Sequence, residues 1–252
     1  MLAPGMKFIG GIAGAAKSLP SFLTASATAI WDPTNGDAVA AVGEMTASLA
    51  LEHMKQTMMA ERSGRMILKN QPYVTDETLK FANQQAPGTF GYRYSLYMNY
   101  NHFLPSGRAP VKHIADPTLA YVMRRYRETH DFLHACTGCG RTVEEELAVK
   151  LLEWRHTHLP LGILAVLGGM PSLSTQQMRN MSLYYEWAEL NAPDQRHNGR
   201  HIPCLLNVHW ESYLDRPFEE LLEEVGITPI DVFLRERRSE ETPGKNNATK
   251  TV

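Results

Sequence analysis

The sequence predicts an all-α fold in a single domain, with a metal-binding helical hairpin at its centre, and three observations carry that prediction. Helix caps and turn residues recur at spacings that leave room for helices between them. The longest apolar stripe, from Leu119 to Thr137, follows the period of one helix face. Neither an alternating strand–helix pattern nor an internal repeat is present, and 252 residues suffice for one substantial core.

Residues 1–31 form a lead rich in Ala and Ser, with no acid before Asp32 and only Lys7 and Lys17 as cations. That is a weak organelle-targeting profile, without the arginines of a transit peptide. The helical domain is expected over 32–238. Asp32-Pro33 and Asn35-Gly36 mark a turn, and Asp37 is placed to cap a long helix to about Glu61, ended by Ser63-Gly64-Arg65. A loop from Asn70 to Tyr73 leads to a cap at Asp76 and a shorter helix, stopped by Pro87-Gly88. The aromatic stretch from Tyr92 to Phe103 fits a helix or a strand. Pro105, Gly107 and Pro110 make a loop, and Asp116-Pro117 opens a helix, with Asp as N-cap and Pro at the first helical position. Leu119, Val122, Met123, Tyr126, His130, Leu133, His134 and Thr137 share its inner face.

After Gly138, Cys139 and Gly140, Thr142 and Glu145 form a capping box that starts the hairpin's second helix, whose Val143, Leu147, Leu151 and Trp154 point inward. Further on, Ser174 caps a helix containing Tyr184 to Ala188, and Pro193, Asn198 and Gly199 form a loop. One helix is expected through Cys204 to Tyr213. Asp215-Arg216-Pro217 opens a short helix closed by Gly226, and Thr228-Pro229 starts the last one. The polar tail, 239–252, is expected to be disordered.

Chemistry concentrates between His130 and Glu146. Residues four apart share a helix face, so His130 and His134 can aim at one point, with Asp131 reaching it from the flank. Glu146 lies about one turn into the second helix and His134 about one turn before the end of the first, which brings them to matching depth in an antiparallel pair. Two imidazoles and two carboxylates make a divalent-metal site, and mixed N/O ligands favour Zn²⁺, Fe²⁺ or Mn²⁺. The alternative is a buried histidine pair with a purely structural role. Cys136 and Cys139 in the turn admit a Cys₂His₂ zinc site, a redox pair or two unpaired thiols. Cys204 suits the core. Arg124, Arg125 and Arg127 either bind an anion near the site or pair with neighbours such as Glu128. The acids Glu219, Glu220, Glu223 and Glu224 read as a solvated face, and His197, His201 and His209 lack ligand spacing.

Bulk properties exclude several classes. A net charge of −2 gives no field for nucleic acid, so no nucleic-acid partner is expected. Three cysteines argue for a reducing compartment. No run reaches the roughly 18–20 apolar residues of a spanning helix. The longest, Leu159 to Met170, carries Pro160 and three glycines and suits a buried or interfacial helix. Walker loops, G-x-G-x-x-G and G-x-S-x-G are absent.

With these residues in place, the chain resembles the Coq-four family of ubiquinone (coenzyme Q) biosynthesis proteins over about residues 32–230. His130, Asp131, His134 and Glu146 satisfy H-D-x-x-H followed by eleven residues and E. Agreement extends to G-D-A-V-A-A-V-G-E, P-G-T-F-G, L-A-Y-V-M-R-R-Y-R-E, N-V-H-W-E and L-L-E-E-V-G-I-T-P. The resemblance implies a helical protein, peripheral to the matrix face of the mitochondrial inner membrane, that works with other ubiquinone-synthesis enzymes in a multiprotein complex. It implies zinc held by His130, Asp131, His134 and Glu146, which would also be the catalytic residues. The implied reaction is loss of the C1 carboxyl group of a 4-hydroxy-3-methoxy-5-polyprenylbenzoate, alone or with oxidation at C1. Cys136 and Cys139 depart from the family pattern. Leu159 to Leu167 and Tyr184 to Trp187 are candidates for the polyprenyl channel, and a homo-oligomer is an admissible assembly. Two other functions compete: a non-catalytic lipid-binding scaffold for the enzyme complex, and a metal-dependent phosphohydrolase, for which further ligands are not evident.

Overall fold

The computed structural model describes residues 47–240 apart from Asn198, together with Thr24, Ala41 and Glu44. The lead, the helix start at Asp37 and the tail from 241 lie outside the described residues. The described part is helical: α1 (Ser48–Ala60), α2 (Arg62–Asn70), α3 (Asp76–Ala82), α4 (Phe90–Tyr100), α5 (Pro117–Thr137), α6 (Val143–Thr157), α7 (Pro160–Gly169), α8 (Thr175–Leu190), α9 (Phe218–Val225) and α10 (Ile230–Glu240). Short 3₁₀ turns and one two-residue antiparallel ribbon, Arg196–His197 with Arg200–His201, complete it.

The central α5 touches both halves of the core. Its N-terminal part packs Tyr121, Val122, Met123 and Tyr126 against Leu51, Met54 and Met58 of α1. Its C-terminal part puts Phe132 beside Phe90 and Trp210, with ring centroids 5.7 and 6.0 Å away. Helix α6 turns back along α5 and is covered by α7 and α8. The aromatic stretch resolves as α4: the Thr89 hydroxyl accepts from the Tyr92 N–H, and Phe90, Tyr94 and Met98, four apart, form the buried face.

Four local expectations are corrected. The first break falls at Glu61, in extended conformation, and Ser63-Gly64-Arg65 lies inside α2. A Cβ on Gly64 would sit 2.2 Å from the Met58 carbonyl oxygen and 2.3 Å from Asn207 Oδ1, so this glycine permits a close approach and stops nothing. The stretch 204–213 is two 3₁₀ turns, Leu205–Asn207 and Trp210–Tyr213, because side chains capture the carbonyls a helix would use. Trp210 Nε1 donates to the Leu205 carbonyl and Arg125 to that of Val208. Val143 is exposed, while Leu147 and Leu151 point inward as expected. Asp76 follows the cap, which is Thr75 in a capping box with Thr78.

Candidate metal centre

Local chemistry builds the hairpin. The Asp116 carboxylate accepts from the Leu119 N–H at 2.9 Å, and Pro117 gives up no hydrogen bond at the first helical position. Helix α5 ends at Gly138, whose φ of +75° favours glycine and whose N–H closes on the His134 carbonyl. Thr142 and Glu145 satisfy each other's backbone N–H groups and launch α6. The tight turn between these ends sets His134 opposite Glu146.

The functional atoms of three residues converge. His130 Nε2 and His134 Nε2 lie 3.2 Å apart, and Glu146 reaches each of them at 3.2 Å, with Oε1 and Oε2 respectively. A tetrahedral zinc with bonds of about 2.0–2.1 Å separates its ligands by about 3.3 Å, which is close to each of these three contacts and lets the two imidazoles and the carboxylate share one ion. The opposite ring nitrogens are committed. His134 Nδ1–H donates to the Cys139 carbonyl at 3.0 Å and His130 Nδ1–H to Glu153 at 2.7 Å. Those bonds leave the Nε2 lone pairs facing one another, an arrangement that calls for a cation between them. The donor set therefore fits a divalent ion.

Electrostatics favour a positive charge at this point, carried by a proton on His130 when no ion is bound. Burial and Lys150 oppose a charge on His130, but Glu153 and Glu146 outweigh them and raise it to about 9. Burial likewise opposes ionisation of Glu146, and His130 with His134 holds it well below the usual carboxylate range. Glu153 is fully inside, yet Lys150 and His130 overcome the burial and bring it to about 2. Glu153 also accepts from the Tyr126 hydroxyl and from Lys150, both at 2.8 Å. Tyr97 stacks on His134 with centroids 4.9 Å apart.

The fourth expected ligand points elsewhere. Asp131 is buried and ion-pairs through Oδ2 with Arg108, and it does not join the group of His130, His134 and Glu146. Cys136 and Cys139 are buried, and burial pushes both thiols up to about 12. Among the described residues they also stand outside the metal-binding group. Arg124 pairs with Glu128, Arg125 with Glu211 and Arg127 with Glu44. Cys204 is buried, and the four acids of α9 are exposed. A cleft of about 500 Å³ opens beside His134, lined by Tyr92, Leu96, Tyr97, Ala135 and Phe218 among others. It runs along α4, on a different element from the stretches expected to form a channel.

Sequence reasoning missed Glu153, Tyr126 and the Cys139 carbonyl. Glu153 had a signal, since it lies seven residues after Glu146 and so on the same face two turns later. A backbone carbonyl carries no sequence signal.

The fold and the site define a helical protein built round a hairpin with two histidines and one glutamate. Residues 14–231 match the family described as Coenzyme Q (ubiquinone) biosynthesis protein Coq4, and the chain belongs to that family. It is 66% identical over 238 residues to a mitochondrial ubiquinone biosynthesis protein COQ4 homolog of Trypanosoma cruzi, covering 94% of each chain. Identity to the Trypanosoma brucei homolog is 59% over 239 residues, covering 95% of this chain and 96% of that one. Komagataella phaffii COQ4, also named mitochondrial, is 35% identical over 215 residues, 84% of this chain and 69% of the yeast protein. The fold is that of a crystal structure from Nostoc punctiforme, described as a candidate ubiquinone biosynthesis protein, with a TM-score of 0.60 at 18% identity over 86% of this chain and 98% of that one. No described helix is long and apolar enough to cross a membrane.

Proposed function

We propose that this protein is a zinc-dependent carbon–carbon lyase that removes the C1 carboxyl group of a 4-hydroxy-3-methoxy-5-polyprenylbenzoate in ubiquinone biosynthesis. The observation that carries the proposal is the cluster of His130 Nε2, His134 Nε2 and the Glu146 carboxylate, in which the two imidazole nitrogens lie 3.2 Å apart and each has one carboxylate oxygen at 3.2 Å, with both imidazoles fixed from behind. Three protein ligands leave a position for substrate, as in catalytic rather than structural zinc sites. When bound, the ion supplies a Lewis acid that orients a carboxylate.

The chain's own residues do the rest. His130 and His134 hold the polar end, and the apolar walls of the neighbouring cleft, Tyr92, Leu96 and Phe218, suit the prenylated edge of the ring. The substrate hydroxyl lies para to the carboxyl, so its ionisation moves electron density onto C1. As the C1–carboxyl bond breaks, its electron pair stays on C1 and a proton must arrive. A nearby acid, or Glu146 once displaced from the ligand set, would relay that proton from solvent; Glu146 is 37% exposed where His130 is 15% and His134 0%. Oxidation at C1 would instead require an external oxidant that delivers an oxygen to C1 as CO₂ leaves, and product analysis separates the two outcomes.

The mitochondrial names of its relatives support a mitochondrial location, and we place the protein on the matrix side of the inner membrane, beside other ubiquinone-synthesis enzymes. Helix α7, with no charged residue and with Leu164 and Leu167 exposed, supports peripheral contact with a bilayer. The test is metal content and product analysis on purified protein with a short-chain substrate. Turnover that disappears in His134→Ala and Glu146→Ala together with the bound metal is the expected result. Full decarboxylation by either variant refutes the metal-centred mechanism, and tight binding without turnover in the parent identifies a scaffold.

A further inference from the structure

The cleft beside His134 is bounded by two opposite charges that the mechanism above leaves unused. Arg93 on α4 and Glu219 on α9 both line it. Among the described residues neither belongs to an ion pair, whereas the neighbouring Arg216 is committed to Glu220 at 2.7 Å. The Arg93 guanidinium lies over the Phe218 ring, with Cζ 4.1 Å from the centroid, and its Nε–H donates to the Ala135 carbonyl at 3.4 Å. Phe218 immediately precedes Glu219, so Arg93 already rests on the wall that carries the acid. Its terminal nitrogens keep their donors, and Glu219, in the first turn of α9, is exposed.

The walls themselves are fixed. The Phe218 N–H donates to the Gly88 carbonyl at 2.9 Å, the Phe90 N–H to that of Arg216 at 3.1 Å and the Gly91 N–H to that of Leu214 at 2.9 Å. A Cβ on Gly91 would lie 2.3 Å from the Leu214 carbonyl oxygen, so the start of α4 is seated directly on the segment leading into α9. With the backbones joined this closely, side chains set the width of the mouth between Arg93 and Glu219.

In an empty cleft water hydrates both charges, and an exposed pair gains little over the entropy of holding two long side chains together. A ligand that fills the cleft with an apolar ring displaces that water, lowers the local dielectric and strengthens the attraction across the mouth. We infer that Arg93 and Glu219 form an ionic latch that closes over the cleft when an aromatic ligand occupies it, slowing the ligand's departure without touching the metal centre. The inference rests on the proposed substrate's use of this cleft and adds how the site retains it. Because the latch is a charge pair, exchanging the two charges preserves it. Direct recognition of a ligand's anionic group by Arg93 has no such symmetry.

The test uses the zinc-loaded full chain and 4-hydroxy-3-methoxy-5-prenylbenzoate, carrying one prenyl unit, with its dissociation timed by stopped-flow displacement. Arg93→Gln and Glu219→Gln are each expected to speed dissociation about threefold, and the double variant no more than either alone. The exchange of Arg93→Glu with Glu219→Arg is expected to restore the parent's rate. Sodium chloride at about 1 M is expected to bring the parent to the rate of the single variants while leaving theirs unchanged. The same cycle on urea unfolding without ligand is expected to show no coupling, because the free protein keeps the latch open. Additive effects of the two single changes, failure of the exchange, or faster dissociation in Arg93→Gln that Glu219→Gln does not share overturns the latch and leaves the lyase proposal standing. Equal coupling in the free protein identifies a static bridge and overturns the latch as well. A parent that does not bind the probe overturns both.

Discussion

Replacing Glu153 by glutamine tests how the centre is held. The change keeps the side chain's shape and one oxygen but removes the charge shared by His130 Nδ1, the Tyr126 hydroxyl and Lys150, at 2.7, 2.8 and 2.8 Å. Hydrogen bonds to a charged group contribute about 1.5–3 kcal/mol and neutral ones about 1 kcal/mol. The glutamine oxygen retains one donor, a second is weakened, and Lys150 is left without its counter-charge. Part of that last cost is recovered because Lys150 is not sealed from water. The expected loss of stability is about 3 kcal/mol, measurable by urea unfolding of the metal-free protein. Independently, His130 loses the acceptor that commits Nδ1–H and presents Nε2. Disturbing such a partner weakens metal binding roughly 10–100-fold, which a competition titration against a chelator reads. If stability falls while zinc affinity equals that of the parent, Glu153 supports the fold alone and the account of the His130 ring is refuted.

Three further predictions address the frame around that site. Gly64→Ala is expected to destabilise by about 2–3 kcal/mol, because its Cβ would meet the Met58 carbonyl oxygen at 2.2 Å; urea unfolding decides, and an unchanged midpoint refutes the close approach. Thr142→Ala removes the capping box at the start of α6 and is expected to cost about 1 kcal/mol, with a further loss of zinc affinity if the cap sets the depth of Glu146. Burial depresses His156 from 6.5 to about 4, so the unfolded chain binds its proton first. Its contribution to stability is complete above pH 6.5 and declines by roughly 3 kcal/mol as pH falls to 4. A His156→Gln protein is expected to lose that part of the slope in denaturation curves taken across this window.

The hairpin was legible because its instructions are local. Asp116-Pro117, Gly138 and the Thr142–Glu145 box each act within one turn of the residues that encode them, and together they fix the depths of His134 and Glu146. The pairing of Arg124 with Glu128 was readable for the same reason, being four residues apart on one helix. Arg125 and Arg127 find Glu211 and Glu44, each more than eighty residues away, and nothing local announces them. Asp131 failed by the same logic. Helix spacing places its Cα on the flank of the site, but the direction of its carboxylate is decided by Arg108, twenty-three residues earlier on a loop. Gly64 shows another limit, since a glycine that ends a helix and one that lets two segments touch look alike in sequence.

The C-T-G-C turn brings these strands together. As thiols, Cys136 and Cys139 read as ligands or a redox pair, but among the described residues they stand outside the metal-binding group, and burial lifts both to about 12. The turn nevertheless acts on the metal centre through its backbone: the Cys139 carbonyl takes His134 Nδ1–H and so decides which nitrogen faces His130 and Glu146. Only the path of the chain matters for that contact, and Gly138 in its left-handed conformation sets the path. Replacing both cysteines by serine or alanine should therefore leave zinc binding intact, while a β-branched residue at Gly138 should weaken it without touching a ligand. Metal titration of the two variants separates a turn that works by its shape from one that works by its sulfurs.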